Sequence, residues 1–359
     1  MDDRIQRHAE ILVEHCTDVS AGENVAVSGP PVAEELLIAV AEKLGEVGAN
    51  ASIRLVSQRA SRAYRRAIDP DDVELSEHLL AMAEETDVMI NVGGATNTHE
   101  TGDIDPETNA AFAAANKPVQ EVRMDSRWVT TAFPAPGNAQ DAEMSTPAYE
   151  EFVWSAIDKD WEAQREFQAQ MVEILEDAEE VRIVSGDTTD VTMRVDGMLP
   201  QNDYGEKNMP GGEVYTAPIK DSVEGEVLFD KPLMAQGREV EGVRLTFEDG
   251  RVVDHAAEKN EPVLTEMLDT DEGARYLGEL GIGMNRDIDQ FTYNMLFDEK
   301  MGDTVHMAIG RAYEWTVPED RERNDSAVHM DMIVDMSEDS RIEVDGEVVQ
   351  EDGTFVFEE

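Results

Sequence analysis

The chain has 359 residues, of which 80 are acidic and 29 basic, giving a formal net charge of −51. Its length allows two domains with sizeable cores, and its hydrophobic fraction of 41% is ordinary for a folded protein. The acids are spread along the chain, which indicates adaptation to concentrated salt, where screening limits their repulsion. The charge argues against nucleic-acid binding, which needs a basic surface. A basic protein partner is a weaker alternative, because the charge has no local focus.

A single cysteine, Cys16, bears on the compartment. It cannot form an intramolecular disulfide, which favours a reducing environment. The first residues contain no apolar signal core, and no apolar run approaches the roughly 20 residues that a membrane helix requires. We therefore expect a cytoplasmic protein that does not bind membranes.

The first half of the chain alternates predicted strands and helices. β-rich runs occupy residues 24–29, 51–56, 88–94 and 119–124. Helical patterns run from Pro31 to near Gly48 and over residues 147–178. Strands joined through helices require crossover connections and predict a mainly parallel sheet. We therefore predict an α/β, Rossmann-like domain over residues 1–180.

The second half has shorter predicted strands and tighter turns. Asp249-Gly250 and Asp345-Gly346 each separate two apolar runs, a strong signal of a β-hairpin. Thr270 is followed by acids and predicts the start of a helix over residues 271–280, which places Glu279 near the end of that helix. These features predict an α+β domain with a mostly antiparallel sheet over residues 181–359.

The most informative segment is Val328-His329-Met330-Asp331-Met332. On a strand, His329 and Asp331 point to one face while the three apolar residues point to the other. A neutral imidazole and a carboxylate are ligands suited to zinc, cobalt or manganese. Taken alone, such a pair also occurs on strands that bind no metal.

Further candidates precede or follow this segment, each with an ordinary alternative. His306 shares a strand face with Thr304 and Ala308, where it could be a metal ligand or a hydrogen-bonded core histidine. Tyr313 could donate a hydrogen bond to an oxyanion or close the edge of the sheet. Three acids could approach the same region or lie in solvent: Glu213, Glu279 and Glu299.

Four ordered segments carry a more specific signal. NMPGGEVYTAP, TDEGARYLGELGIG, LFDEKMGDTVHMAIGRAY and NDSAVHMDM resemble successive motifs of the thermophilic-type metallo-aminopeptidases, the aminopeptidase T and aminopeptidase S group. In the first half, SRWVTTAFPAPGNAQDAEMS and YEEFVWSAIDKDW are similar to an archaeal branch of that family. Agreement of four segments in the same order makes the match specific, and with the acidic composition it suggests a halophilic archaeal-like member.

The resemblance implies a hydrolase that removes N-terminal residues from peptides with the help of two divalent metal ions. The family's ligands fall on Glu213, Glu279, His306, His329 and Asp331. Tyr313 matches the family's active-site tyrosine, and Glu299, which is not among these ligands, is our candidate general base. Met330 replaces an aromatic residue that the family usually has, and should point away from the metals. The family also implies a homodimer.

Two alternatives to this function stay open. Gly93-Gly94 follows a predicted strand and could cradle a phosphate in a non-catalytic metal- or nucleotide-binding protein, although the loop lacks a complete phosphate-binding motif. A metallohydrolase of other amides or esters would use the same metals on a different substrate.

Overall fold

The structure is a computed structural model that describes residues 2–235 and 237–358. The chain divides into two compact units. The first holds the chain up to Asp158 together with Gly205–Pro210, and the second holds Lys159–Tyr204 and the chain from Gly211 onward. The domain boundary at residue 180 stays a prediction; by contacts, the helix at Trp161–Glu176 groups with the second unit.

The described residues form twenty strands and ten α-helices, with short 3₁₀ turns and one π-helical stretch at Ile11–Cys16. The strands are β1 Asn24–Gly29, β2 Asn50–Leu55, β3 Val88–Gly93, β4 Arg127–Ala132, β5 Glu180–Ser185, β6 Thr189–Arg194, β7 Gln201–Asp203, β8 Asn208–Met209, β9 Glu213–Thr216, β10 Glu224–Phe229, β11 Leu233–Ala235, β12 Arg238–Val240, β13 Val243–Glu248, β14 Arg251–Ala256, β15 Leu277–Gly283, β16 Thr304–Gly310, β17 His329–Asp335, β18 Ser340–Val344, β19 Glu347–Glu351 and β20 Thr354–Phe355. The helices are α1 Asp3–Glu10, α2 Glu34–Val47, α3 Gln58–Arg65, α4 Glu77–Glu84, α5 Pro106–Asp125, α6 Pro136–Asp141, α7 Thr146–Ile157, α8 Trp161–Glu176, α9 Glu261–Leu268 and α10 Met295–Asp298.

The first unit is built on a five-stranded parallel sheet in the order β2-β1-β3-β4-β8. Its inner strands are apolar runs, in which Val25, Val27 and Ile90 are buried. Helix α2 ends because Gly48 takes a left-handed φ of 85° and directs the chain back to the sheet. The predicted α/β architecture of this part of the chain is confirmed.

The predicted strand at residues 119–124 is wrong, because this segment lies inside helix α5. Val119 and Val122 are three residues apart, which is a helical spacing, and both pack against an apolar cluster that contains Met89. Trp128, in the strand that follows, packs against the same cluster. A six-residue segment with only three apolar residues is too short for its periodicity to separate a strand from a helix.

The long helix predicted over residues 147–178 is two helices, α7 and α8. The break comes at residues 158–160, where the side chain of Asp160 accepts a hydrogen bond from the Ala163 N–H at 3.1 Å and caps α8. The two helices belong to different compact units.

The second unit contains an eight-stranded antiparallel sheet in the order β14-β13-β10-β6-β5-β18-β19-β20 and a five-stranded antiparallel sheet in the order β17-β16-β15-β9-β7. The hairpins at Asp249-Gly250 and Asp345-Gly346 are confirmed, and both residues of each turn have positive φ, as a tight hairpin turn requires. One apolar core contains residues of both sheets, including Phe247 and Met307. The prediction of a mostly antiparallel α+β region is therefore confirmed.

The helix predicted over residues 271–280 is wrong. The segment makes one 3₁₀ turn at Gly273–Arg275 and then enters strand β15. The capping residue is Asp271 and not the predicted Thr270, because the Asp271 side chain accepts from the Ala274 N–H at 2.9 Å. Pairing with β16 decides the conformation: a Cβ at Gly278 would lie 2.4 Å from the Gly310 carbonyl oxygen. Glu279 therefore projects from a strand. Elsewhere, no helix in the described part of the chain is both long and apolar enough to cross a membrane.

Candidate metal centre

The five-stranded sheet of the second unit has one apolar and one polar face. Ile282 on β15, Met307 on β16 and Met332 on β17 are buried in the core of the unit. Because strand side chains alternate, the residues next to them point to the opposite face. Met330 is likewise in the core, 5% exposed, on the side away from His329 and Asp331.

The register of three strands gathers the candidate ligands around Ala308. On one side of Ala308 lies Glu279 of β15, and on the other side lies Asp331 of β17. His306 is two residues from Ala308 on the same strand, so it shares the polar face. A methyl group at the centre leaves room for the longer side chains around it.

Gly281 provides the space that the His306 ring occupies. The two residues are direct partners in the pairing of β15 with β16. A Cβ built on Gly281 would lie 1.9 Å from the Cε1 atom of His306, so any side chain here would displace the imidazole. The site therefore needs glycine at position 281, because only glycine leaves room for the His306 ring.

The imidazole of His306 lies between carboxylates. Its Nε2 is 3.3 Å from Glu279 Oε1 and 3.3 Å from Glu213 Oε2. One ligand atom each from Glu279, His306 and Asp331 lie within 4.8 Å of one another, a separation that suits a shared metal ion.

His329 is held in one tautomer. Its Nδ1 lies 2.8 Å from the carbonyl oxygen of Arg311, which only accepts, so Nδ1–H is the donor. Nε2 therefore presents its lone pair, and it lies 3.6 Å from Asp331 Oδ1. An imidazole oriented by a backbone carbonyl through its other nitrogen is a common arrangement of metal-ligating histidines.

The donor set fits a divalent transition metal. Several buried atoms have no hydrogen-bond partner among the described residues: Glu213 Oε2, Glu279 Oε2, Asp331 Oδ1 and His306 Nδ1. Buried polar atoms normally have partners, and carboxylate oxygens with imidazole nitrogens form the ligand set expected for zinc, cobalt or manganese.

Burial and the neighbouring charges have opposite effects on the pKa values of Glu213 and His306. Burial raises the pKa of Glu213 to about 8, against the opposing effect of Lys300. Burial alone would lower the pKa of His306, but hydrogen bonding to Glu279 and the charge of Glu213 outweigh it and raise that pKa to about 10. Both shifts favour uptake of positive charge at the site.

Comparison with known proteins gives the family. Residues 1–359 match the family described as thermophilic metalloprotease (M29). The chain belongs to this metalloprotease family. Aminopeptidase 2 of Geobacillus stearothermophilus is 27% identical over 97% of this chain and 94% of its own length. Aminopeptidase T of Thermus aquaticus is 29% identical over 99% and 96%.

A solved structure agrees with the family assignment. Wild-type AmpT from Thermus thermophilus superposes with a TM-score of 0.88 at 26% identity, covering 99% of both chains. A 2,5-dihydroxypyridine dioxygenase from Pseudomonas putida KT2440 has a TM-score of 0.62 at 13% identity, over 99% and 98%. That second likeness shows the fold alone, so the activity of this metalloprotease must be argued from its site.

The structure brings the seven predicted site residues of the metalloprotease into one neighbourhood. Glu213 and Glu279 contact His306, Asp331 completes the cluster with Glu279, and His329 lies beside Asp331. The two remaining residues join through other side chains: Glu299 through Lys300, and Tyr313 through the His329 ring, 4.8 Å from its own.

A buried lysine, Lys300, contacts the site and was not predicted from the sequence. Lys300 Nζ lies 3.0 Å from Glu213 Oε1 and 3.7 Å from Asp203 Oδ2, and it also contacts Glu299 Oε1. Burial opposes its charge, but the neighbouring carboxylates outweigh that effect and raise the pKa of Lys300. Two features of the sequence could have indicated it: Lys300 directly follows Glu299, and lysine is rare in this chain, with eight in total.

Aromatic rings border the site. Tyr313 stacks on Trp315 at 4.7 Å with an interplanar angle of 8°, and Trp315 Nε1–H donates to the Tyr215 hydroxyl at 2.9 Å. Burial, followed by the charges of Glu279 and other carboxylates, raises the pKa of Tyr313 far above its usual value, so the phenol keeps its proton. Tyr215 and Trp315 were not predicted; Tyr215 lies two residues after Glu213 on the same strand face.

Proposed function

We propose that this metalloprotease is an aminopeptidase that hydrolyses the first peptide bond of peptide substrates with two divalent metal ions, zinc, cobalt or manganese. The observation that carries the proposal is the approach of Glu279, His306 and Asp331 within 4.8 Å in a member of this family. Its named relatives are aminopeptidases. Glu213, Glu279, His306, His329 and Asp331 would hold the ions.

The ions would supply polarisation of the scissile carbonyl and a lowered pKa of water. Glu299 would take the proton of the attacking water and return it to the leaving amine, which is the work of a general base and acid. Its carboxylate contacts Lys300 and belongs to the polar neighbourhood of the ligands. A nearby acid would bind the free α-amine of the substrate, which restricts cleavage to the amino end.

Tyr313 would donate its hydroxyl hydrogen to the oxygen of the substrate carbonyl as negative charge develops there. Removing one donor of this kind typically costs ~3 kcal/mol in the barrier, which is about 100-fold in rate. Tyr313→Phe keeps the ring that stacks on Trp315. It should therefore lower kcat by that factor while the metal content per chain stays as in the wild type.

The direct test uses anilide substrates. Leucyl- and arginyl-anilides should be cleaved by the metal-loaded protein, a chelator should stop the reaction, and added zinc, cobalt or manganese should restore it. The same anilides with an acylated amine should resist cleavage. Turnover of the blocked substrates would show a metallohydrolase without aminopeptidase specificity, and turnover that persists without metal would remove the metal from the mechanism.

Within the described residues, no observation supports the nucleotide-binding alternative. Gly94 has a φ of 140°, and a Cβ on it would lie 3.0 Å from the Phe133 carbonyl oxygen. Backbone conformation and close packing thus account for this glycine without a bound phosphate.

Four further properties are proposed from the sequence. The net charge of −51 supports a halophilic protein, and the first-half motifs support an archaeal-like one. Unfolding midpoints measured from low to molar KCl should rise with salt if this is correct. The family resemblance supports a homodimer, which light scattering would test. The single cysteine supports a cytoplasmic location.

A further inference from the structure

Lys300 is a fixed cation inside the acidic site, and the proposed reaction does not use it. All eight lysines lie in the described part of the chain, and among them only Lys300 is fully buried. The main chain fixes its position between α10 and β16, because its N–H donates to the Phe297 carbonyl at 3.0 Å and its carbonyl accepts from the Asn285 N–H at 3.1 Å.

The ammonium group of Lys300 contacts both a proposed ligand and the proposed base. Nζ donates to Glu213 Oε1 at 3.0 Å and to Glu299 Oε1, and Asp203 Oδ2 lies 3.7 Å away. The three acid side chains are between 7% and 17% exposed, so solvent screens these pairs little. Two carboxylates with different proposed roles are therefore held by one cation.

Stability alone gives a weak reason for this arrangement. Burying an ammonium group costs free energy that its ion pairs often no more than repay, and an apolar side chain of similar volume commonly serves a core as well. The buried ammonium group of Lys300 therefore indicates that the site needs a positive charge at this position.

The balance of charges in the site explains why a positive charge is needed. Five carboxylates meet there: Asp203, Glu213, Glu279, Glu299 and Asp331. Two divalent ions carry four positive charges, and the two histidines bind metal in their neutral form. Lys300 supplies the one positive charge that is still lacking.

We propose that Lys300 is the built-in counter-ion of the metal centre, which fixes Glu213 and keeps Glu299 from becoming a metal ligand. The proposal rests on the proposed function and identifies a positioning residue for it. Because the ammonium and the metal ions attract the same carboxylates and repel each other, Lys300 weakens metal binding while it reserves Glu299 for proton transfer.

The test is metal affinity, measured by chelator competition on the full chain at fixed pH and KCl. Lys300→Met replaces the ammonium with an uncharged side chain of similar length. It should bind zinc about tenfold tighter or more, because the repulsion is lost and the carboxylates are released. Lys300→Arg keeps the charge and should stay within about threefold of the wild type. A Lys300→Met protein that binds zinc no tighter than the wild type overturns the proposal.

A second pair of variants keeps the test valid if Lys300→Met alone does not fold. The double variant Glu299→Gln/Lys300→Met removes one charge of each sign, so it leaves the buried cluster balanced. Compared with Glu299→Gln alone, the double variant should bind zinc tighter, and equal or weaker binding overturns the proposal. Zinc should also raise Tm more in Lys300→Met than in the wild type. If Lys300 were merely structural, its replacement would lower the Tm of the metal-free and the zinc-bound protein equally, and the zinc-induced rise would be unchanged.

The proposed function and the counter-ion role of Lys300 would be contradicted by different results. If the wild type binds no divalent ion, the proposed function fails and the Lys300 proposal fails with it. If the wild type binds two ions and cleaves leucyl-anilide, but Lys300→Met gains no affinity, only the counter-ion proposal is lost.

Discussion

Among the residues that the structure describes, each compact unit contains one completely buried histidine, and the two histidines have opposite surroundings. His8 on α1 forms a hydrogen bond of 2.8 Å with Thr131 Oγ1 and meets the Trp154 ring edge-on at 5.4 Å. Burial lowers the pKa of His8 to about 3. His306 is equally buried, yet its carboxylate neighbours reverse the effect of burial and raise its pKa to about 10.

The comparison shows that burial by itself does not mark a functional histidine. A buried imidazole beside a hydroxyl and an aromatic ring stays neutral and serves packing. The same imidazole between carboxylates collects positive charge, as a proton or as a metal ion. Because His8 and His306 are buried to the same extent, the side chains around each imidazole determine whether it stays neutral or takes up positive charge.

The largest effect should come from removing the histidine that faces carboxylates. His306→Ala should lower zinc affinity by about 1,000-fold or more and abolish peptidase turnover, since even the outer partners of ligands are worth 10–100-fold. His8→Gln is the matched control, because it removes an equally buried imidazole and should leave the metal content per folded chain unchanged. Isothermal titration with zinc would measure both. Wild-type affinity in His306→Ala would remove this residue from the site.

A smaller effect should follow from moving His306 without removing it. Gly281→Ala places a methyl group where the Cε1 atom of the ring now lies, so the imidazole must rotate away. We expect a loss of about 100-fold in zinc affinity, the upper range for disturbed ligand orientation. Gly45→Ala is the control, because a Cβ at that helical position meets no atom within 4 Å. Zinc affinity equal in the two variants would show that the ring tolerates displacement.

The sequence predicted the faces of the strands better than the types of some elements. Alternation around His306 and around His329-x-Asp331 follows from the period of a strand, which needs no tertiary information. The segment at Glu279 was predicted as a helix because Thr270, a typical N-cap residue followed by acids, precedes it. Its strand conformation depends on pairing with β16, over 20 residues away, and local propensity does not contain that information.

The partners of the site residues were equally beyond the sequence. Gly281 reads as a turn residue until its pairing with His306 is known. Lys300 reads as a surface lysine in an acidic loop, and only the fold shows that it is buried against Glu213 and Glu299. Ligand types and motif order can be read along the chain, whereas charge balance and steric room appear only in three dimensions.

The smallest predicted effect concerns the other histidine and uses pH. The pKa of His8 is about 3 in the folded chain against an ordinary value of 6.5, so below pH 6.5 the unfolded chain takes up a proton that the folded chain does not. The free energy of unfolding should therefore be intact well above pH 6.5 and fall by about 1 kcal/mol between pH 6.5 and 5.5, then by about 1.4 kcal/mol for each further pH unit until the pKa of the folded chain is approached. His8→Gln, which keeps an amide able to bond Thr131, should lack this part of the slope. Urea unfolding at pH 6.5 and 5.5 in constant KCl would measure the difference between the two proteins, in which the shared titration of all other groups cancels. Identical slopes would mean that His8 gains its proton in the folded chain, and then the contrast with His306 would not hold.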